Sequence, residues 1–298
     1  MSDSQFQRQM NEPLVELRQP LPAARAIFNS GMTAIALGLT ALALLPLVAI
    51  LVEILRQGIP NLSLNVFTNL PAPVGVEDVP NGFGNAIVGT LMMVGIASLI
   101  SIPVGVMTGI FLSEIGRGTA IGDFVRFVTT ILTGVPSIIA GVFAYGVIVL
   151  TTKQFSAVAG GFALSVIMLP IVALTTEEAL KLIPNHQRLG SAALGASRMQ
   201  TTFRVVVAAA IPAITTGVLL AVARATGETA PLLFTALFSQ VWPEGFLNPT
   251  PALSVLIFNY ATSPFVEQNK MAWTAALVLV GLVLCVSLLS RLATRRRA

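Results

Sequence analysis

The chain has 298 residues, of which 55% are hydrophobic and only 10% are charged, with a formal net charge of +4. A mean hydropathy of +0.85 is too high for a soluble domain of this size, which excludes an ordinary globular protein. The one cysteine, Cys285, excludes an internal disulfide.

Apolar stretches long enough to cross a bilayer recur along the whole chain. A membrane helix needs about 20 such residues, and continuous stretches favour helices over the alternating strands of a barrel. They cover residues 31–52, 84–112, 127–150, 156–175, 206–236 and 271–290. The sequence therefore predicts an all-α integral membrane protein with six transmembrane helices.

Charge predicts how these helices are oriented. With the N-terminus in the cytoplasm, thirteen Lys and Arg residues fall on the inner side and three on the outer side. Both termini are therefore expected in the cytoplasm. Residues 1–30 lack the features of a signal peptide and are interpreted as a retained tail. The membrane domain then covers 31–292, and 293–298 form a basic tail that needs no nucleic acid to explain it and is suited to anionic lipid.

Two connections, 57–83 and 239–268, are rich in proline and are interpreted as external loops. The first is expected to contain at most a short helix. Either loop is consistent with a cap over the outer mouth, a contact with an external partner, or a simple connector. Within the second span, Gly105 and Gly109 are four residues apart and predict a close approach to another helix.

The longest inner connection, 176–205, is expected to form a helix–turn–helix. Thr175 and Glu178 fit a capping box, so a helix is predicted to begin there and to end at Pro184. A second short helix follows through "HQRLGSAAL" until Gly195 breaks it. Small and basic residues at a membrane surface suggest docking to a partner. Glu177 and Glu178 are interpreted as capping or solvated residues, with a contact to a partner protein as the alternative, and the lone His186 as a poor metal ligand.

The fifth span contains Arg224 and, four residues later, Glu228, although a charge in hydrocarbon costs several kcal/mol. One interpretation is a polar stripe that faces an anion pathway, because guanidinium binds oxyanions with paired hydrogen bonds. The alternative is an ion pair that makes burial tolerable. Nearby hydroxyls and helix-breaking residues are Thr226, Thr229, Gly227 and Pro231.

Motifs for catalysis are missing from the sequence. It contains no G-x-x-x-x-G-K-[ST], no H-E-x-x-H, no G-x-S-x-G and no Cys/His cluster. We therefore predict no catalytic residue and no metal site. These observations favour a pore or permease that uses energy supplied elsewhere.

Three stretches carry a resemblance to a known family. "TGVPSIIAGVFAYG" (133–146), "IMLPIVALTTEEALKLIPN" (167–185) and "GVLLAVARATGETAPLLFTA" (217–236) resemble the PstA-type permeases of phosphate ABC importers. The inner loop resembles the E-A-A-x3-G-x9-I-x-L-P pattern of binding-protein-dependent importers, with Gly195 at the glycine. Leu189, Ala208 and Leu174 depart from the family's residues, the last where many relatives carry an arginine.

The resemblance implies the transmembrane domain of a type I ABC importer in a bacterial plasma membrane. It implies a PstC-type permease as heterodimer partner, two copies of a cytoplasmic ATPase that binds ATP and Mg²⁺, and an external phosphate-binding protein. This chain itself would bind no cofactor. Phosphate would pass Arg224, Glu228, Thr226 and Thr229. The residues that would contact the ATPase are Glu178, Arg188, Ala192, Ala193, Leu194, Gly195 and Ala196.

Other functions remain open from the residues alone. A permease for sulfate or molybdate would share most of these features. A secondary transporter would be expected to show internal repeats and more intramembrane carboxylates than Glu228. A purely structural subunit would tolerate neutralisation of Arg224.

Overall fold

The structure is a computed structural model that describes residues 22–75 and 79–295, with side chains described as far as residue 288. Most of the predicted N-terminal tail and the last three residues of the basic tail lie outside this part. The chain divides into two compact units at Glu53 and Ile54, and each is described by itself.

The described part of the first unit is a single helix. Helix α1 spans Ala23–Gly58, and its last five residues belong to the second unit. Its apolar run has a mean hydropathy of 2.7, which is high enough to cross a membrane. The helix thus contains the predicted first span, and it begins earlier, at Ala23.

The described residues of the second unit form helices and connecting loops, with no strand among them. After a short helix at Asn65–Thr68, which agrees with the expected loop helix, the longer elements follow in chain order. They are α2 (Gly84–Ile110), α3 (Ala120–Thr133), α4 (Ser137–Ala144), α5 (Ala157–Lys181), α6 (Asn185–Ala193), α7 (Ala208–Thr226), α8 (Ala230–Leu233), α9 (Leu253–Ala261) and α10 (Val266–Arg295). One π-helical turn, Phe111–Ile115, extends α2, and another, Thr201–Val207, leads into α7.

Helices α2 and α5 form the most extensive helix pair in the unit. Their backbones approach closely at two glycines. A Cβ atom at Gly105 would lie 2.8 Å from Cβ of Val172, and one at Gly109 would lie 2.6 Å from Cβ of Thr176. The predicted close approach is therefore confirmed. Buried apolar side chains complete the core beside this seam, among them Met93, Ala97, Leu164 and Met168.

The predicted third span is bent rather than straight. Residues 120–133 and 137–152 meet at 104° across a break at Gly134, Val135 and Pro136. Proline cannot donate a backbone hydrogen bond and disfavours helical backbone at the residue before it, so the helix restarts at Ser137. With this bent pair taken as one span, the described residues contain up to six membrane-crossing segments, by length and composition.

The fifth span differs from the prediction at both ends. It begins at Arg198 and ends at Thr226, ten residues short of the predicted 236. The N–H groups of Gly227 and Glu228 donate to the carbonyls of Arg224 and Ala225, three residues back, which tightens the final turn. Pro231 then occupies the start of the separate short helix α8.

The second predicted external loop contains a buried helix. Helix α9 packs against α10, and its side chains Leu253, Leu256 and Tyr260 are buried. The N–H of Leu253 donates to the hydroxyl of Thr90 on α2 at 2.9 Å, which satisfies a donor at the start of the helix. The prolines led to the interpretation of 239–268 as an external loop, and the buried helix within it was not predicted.

Candidate functional site

Arg224 lies in the last turn of α7, where the helix ends. Its side chain is 56% exposed in this chain, and the exposed Leu220 lies one turn earlier on the same face. The guanidinium donates no hydrogen bond to a described residue. Arg224 therefore lies at the surface of the chain, on an exposed stripe of α7 that it shares with Leu220.

Glu228 is beside Arg224 without being hydrogen-bonded to it. The Arg224 Nε atom is 3.7 Å from Oε1 of Glu228, and the carboxylate side chain is only 16% exposed. Neither Nη group donates a hydrogen bond to a described residue, so both remain available as donors. The backbone carbonyl of Glu228 accepts a hydrogen bond from Oγ of Ser254, at 2.9 Å. This bond attaches the segment that follows α7 to α9.

The neighbouring hydroxyls are placed differently from one another. Thr226 is buried, and its hydroxyl donates to the carbonyl of Val222 within α7. Thr229 is partly exposed at the residue that precedes α8. The structure thus brings Glu228 near the exposed guanidinium, while the Thr226 hydroxyl is occupied by its own helix.

The irregularity after Arg224 is held in place by tight packing. Gly227 follows the last residue of α7, and Pro231 is buried at the start of α8. A Cβ atom at Gly141 of α4 would lie 2.6 Å from Cα of Pro231. The second half of the bent third span therefore packs directly against the segment that carries Glu228.

The loop between α5 and the fifth span, which begins at Arg198, contains one short helix, α6, instead of the two helices predicted. Helix α5 continues through Thr175 to Lys181, and the Thr175 hydroxyl donates back to the carbonyl of Ile171. The predicted capping box at Thr175 and Glu178 was therefore wrong. A capping box exists instead at Ser197 and Gln200, whose side chains bond each other's backbone N–H groups. Helix α6 and the break at Gly195, with φ of +81°, confirm the rest of the prediction.

Helix α6 presents a surface suited to a partner. None of its residues is buried, and Leu194, which follows it, is 90% exposed. Ala192 and Ala193 are also exposed, Ala196 is partly exposed, and Glu178 pairs only with Lys181, at 2.8 Å. A cleft of about 460 Å³ adjoins the helix and is lined partly by Arg188, Ala192 and Ala196.

Arg188 attaches α6 to the end of α2. Its Nη2 is 2.7 Å from Oε1 of Glu114, and the guanidinium also donates to the carbonyls of Ile183 and Leu180. Arg198 donates to the backbone carbonyl of Glu114 at 2.6 Å. Arg188 therefore holds the exposed helix α6 against the ends of α2 and α5.

The sequence did not predict a second arginine–glutamate pair, whose carboxylate is buried. Glu177 is 1% exposed rather than solvated, and its Oε1 accepts hydrogen bonds from Nε and Nη2 of Arg126, at 2.9 and 2.7 Å. The available signal was that both charges border apolar stretches on the same predicted side of the membrane. That signal is too weak to select one partner among the many basic residues predicted there.

Within the described residues, no group of three or more His, Cys, Asp or Glu side chains is arranged to hold a metal ion. His186 is exposed in the loop helix α6. Two other features are candidates for function. The first is the exposed helix α6, and the second is the exposed guanidinium of Arg224 at the end of α7.

Comparison with known proteins gives consistent matches. A family model described as "Binding-protein-dependent transport system inner membrane component" matches residues 101–298. The chain is 43% identical over 244 residues to the phosphate transport system permease protein PstA of Haemophilus influenzae, covering 82% of this chain and 85% of that protein. It is 37% identical over 278 residues to the protein of the same name from Yersinia pestis, covering 93% and 94%.

A solved structure is similar in fold. A chain of the MetNI methionine ABC transporter in an inward-facing conformation superposes with a TM-score of 0.58. The match covers 72% of this chain and 94% of that chain, at 20% sequence identity. The similarity therefore supports the helical permease fold and carries no information about substrate.

Proposed function

Because the chain belongs to the family of binding-protein-dependent transport system inner membrane components, we propose that it is the PstA-type permease of an ATP-driven phosphate importer. The relatives named as phosphate permeases support the substrate, since they match nearly the whole chain at 37–43% identity. The chain is a multi-pass membrane permease, and ATP hydrolysis belongs to a separate subunit in this proposal.

The exposed position of Arg224 carries the proposal. A charge on a membrane helix is costly in contact with lipid, although less so near the helix end, where Arg224 lies, than at the centre, so this face is better suited to water or a polar partner than to lipid. The stripe is better suited to a second permease subunit that encloses a water-filled path. A PstC-type partner across this stripe would make Arg224 part of the pathway wall.

The chemistry of the Arg224 and Glu228 pair fits a phosphate ion. The free Nη groups of Arg224 can donate to two phosphate oxygens, and guanidinium stays charged at every relevant pH. Glu228 moderates this attraction so that the anion is released again. Its carboxylate also accepts a hydrogen bond from the proton that hydrogen phosphate carries, which sulfate lacks at neutral pH.

The exposed surface around α6 provides the contact with the ATPase. In this proposal Leu194 and the small residues Ala192, Ala193 and Ala196 enter a groove of the ATPase, while Arg188 holds the helix in position. Closure of the two ATPase copies around ATP would then displace α6. An external phosphate-binding protein would deliver the substrate at the opposite side of a bacterial plasma membrane.

The decisive experiment is labelled phosphate uptake by the reconstituted importer with Arg224→Gln. A hydrogen bond to a charged group contributes about 1.5–3 kcal/mol, so uptake is expected to fall roughly 10- to 150-fold. The amount of assembled complex and its basal ATP hydrolysis are expected to stay near those of the unmodified complex. Arg25→Gln, the same change outside the site, is the control and should transport normally. Full uptake by the Arg224→Gln complex would contradict the proposal.

A further inference from the structure

Glu177 is a buried charge at the end of α5, close to the start of the helix that is proposed to bind the ATPase. Its Oε1 accepts two hydrogen bonds from Arg126 and lies 3.0 Å from Nζ of Lys181. A buried carboxylate is tolerated only when it is paired and hydrogen-bonded. Such pairs add little net stability over apolar packing. The pair is therefore more informative about which helices it holds together than about stability.

Arg126 connects three elements through one guanidinium. It belongs to α3, the first half of the bent third span, and binds Glu177 of α5. Its Nη2 also donates to the carbonyl of Leu112, in the π-helical turn that ends α2, at 3.4 Å. Helix α3 buries only Gly122 and Thr129, so this polar contact is a principal attachment of α3 to the rest of the unit.

The contacts of Arg188 reach the same junction from the other side. Glu114, which binds Arg188, lies two residues after Leu112 in the same π-helical turn. Helix α6, the end of α2, the end of α5 and helix α3 are therefore joined by two neighbouring arginine–glutamate pairs. Helix α6 follows α5 directly along the chain, whereas α3 is held to α5 by contacts in space.

Beyond α3 the connection continues to the other candidate site. The bend at Gly134 to Pro136 joins α3 to α4, and Gly141 of α4 packs against Pro231. Pro231 lies three residues after Glu228. A displacement of α3 thus has a contiguous physical route to the segment beside Arg224.

We propose that Glu177 is a positioning residue: through Arg126 it makes α3 follow the displacement of α6, and so transmits ATPase closure to the bent third span. This inference rests on the proposed function of α6. It assigns to the pair a role in coupling rather than in binding phosphate. Loss of the pair is expected to let the ATPase cycle without moving α3.

The test replaces both partners at once, with Arg126→Gln and Glu177→Gln in one chain. The double change leaves no unpaired carboxylate in the buried site, so the protein is expected to assemble. In proteoliposomes, the phosphate transported per ATP hydrolysed is expected to fall about threefold or more, while ATP hydrolysis persists. A merely structural role would lower the yield of complex without changing this ratio.

Asp123→Asn is the matched control. Asp123 also pairs with Arg126, at 3.3 Å, but it lies on α3 itself and is largely exposed. Removing it neutralises one partner of Arg126 without releasing α3 from α5, so the transport ratio should stay unchanged. An unchanged ratio in the double variant, or an equal fall in both variants, would overturn the inference.

A cross-link between the same two positions gives a second, independent measurement. In a Cys285→Ala background, Arg126→Cys and Glu177→Cys are joined by a short bifunctional thiol reagent. Coupled transport after cross-linking is expected, because the inference has α3 and α5 moving together. Loss of transport on cross-linking would overturn it. Failure of the proposed function is distinguishable, since the unmodified complex would then take up no phosphate.

Discussion

Arg224 and Arg126 both lie next to apolar segments, yet their surroundings are different. Arg126 is bound through two of its nitrogen atoms to a buried carboxylate. Arg224 is more than half exposed, and its nearest acidic atom is 3.7 Å away. An arginine with satisfied donors is suited to hold a structure together, and one with free donors is suited to bind a ligand.

At the residue scale, the prediction concerns Glu228→Gln. The amide keeps the shape of the side chain but removes the charge that balances Arg224 and weakens the acceptor for the phosphate proton. We expect competition by sulfate in a phosphate uptake assay to strengthen by about tenfold, which corresponds to roughly 1.4 kcal/mol. Uptake itself is expected to continue at a reduced rate.

The matched control for this prediction is Glu178→Gln. Glu178 is an exposed acidic residue that lies far from Arg224 in the sequence. It should leave the phosphate-to-sulfate preference as it is, whatever its effect on rate. If Glu228→Gln transports normally with the same preference, the carboxylate takes no part in selection.

At the element scale, the close contact of α2 with α5 was accessible from sequence because glycine spacing is a local pattern. The bend of the third span was not predicted, although Gly134 and Pro136 were visible. Proline is tolerated within membrane helices, as Pro103 is within α2, so its presence alone does not specify a break. The surrounding helices decide whether the two halves continue or turn.

A single substitution in α2 tests the close contact between α2 and α5. Gly109→Ala places a Cβ atom 2.6 Å from Thr176 and 2.7 Å from the carbonyl oxygen of Ala173, so the two helices must separate. We expect a loss of about 1–3 kcal/mol in stability, seen as a lower thermal midpoint of the purified complex.

Gly95→Ala in the same helix is the control, because nothing beyond the backbone of its own helix lies within 4 Å of the place that a Cβ atom would take. It is expected to leave the midpoint unchanged or raise it slightly, since alanine favours helix by up to about 1 kcal/mol. Equal effects of the two changes would argue against close packing at Gly109.

At the scale of the whole molecule, the orientation in the membrane remains a prediction from charge. The six predicted apolar segments agree with the described residues when the bent pair is counted as one span. The asymmetry of Lys and Arg predicts that both ends and helix α6 lie in the cytoplasm. The loop before α2 should then face outward.

Single cysteines test this orientation. In a Cys285→Ala background, Ser63→Cys is expected to react in intact cells with a thiol reagent that does not cross membranes. His186→Cys is expected to react only after the membrane is opened; both positions are exposed in the structure. Labelling in the reverse order would show that the positive-inside assignment is inverted.

The sequence by itself determined that this is a helical membrane protein, roughly where its spans lie, and that Arg224 and Glu228 are exceptional. The hydropathy of a span and the free-energy cost of a charge within it depend on the residues of one helix, so both can be recognised in a short stretch of sequence. The tertiary structure alone decided that α9 is buried and that Glu177 binds Arg126, 51 residues away in the chain. These features depend on which distant surfaces meet, and no local pattern of residues encodes that meeting.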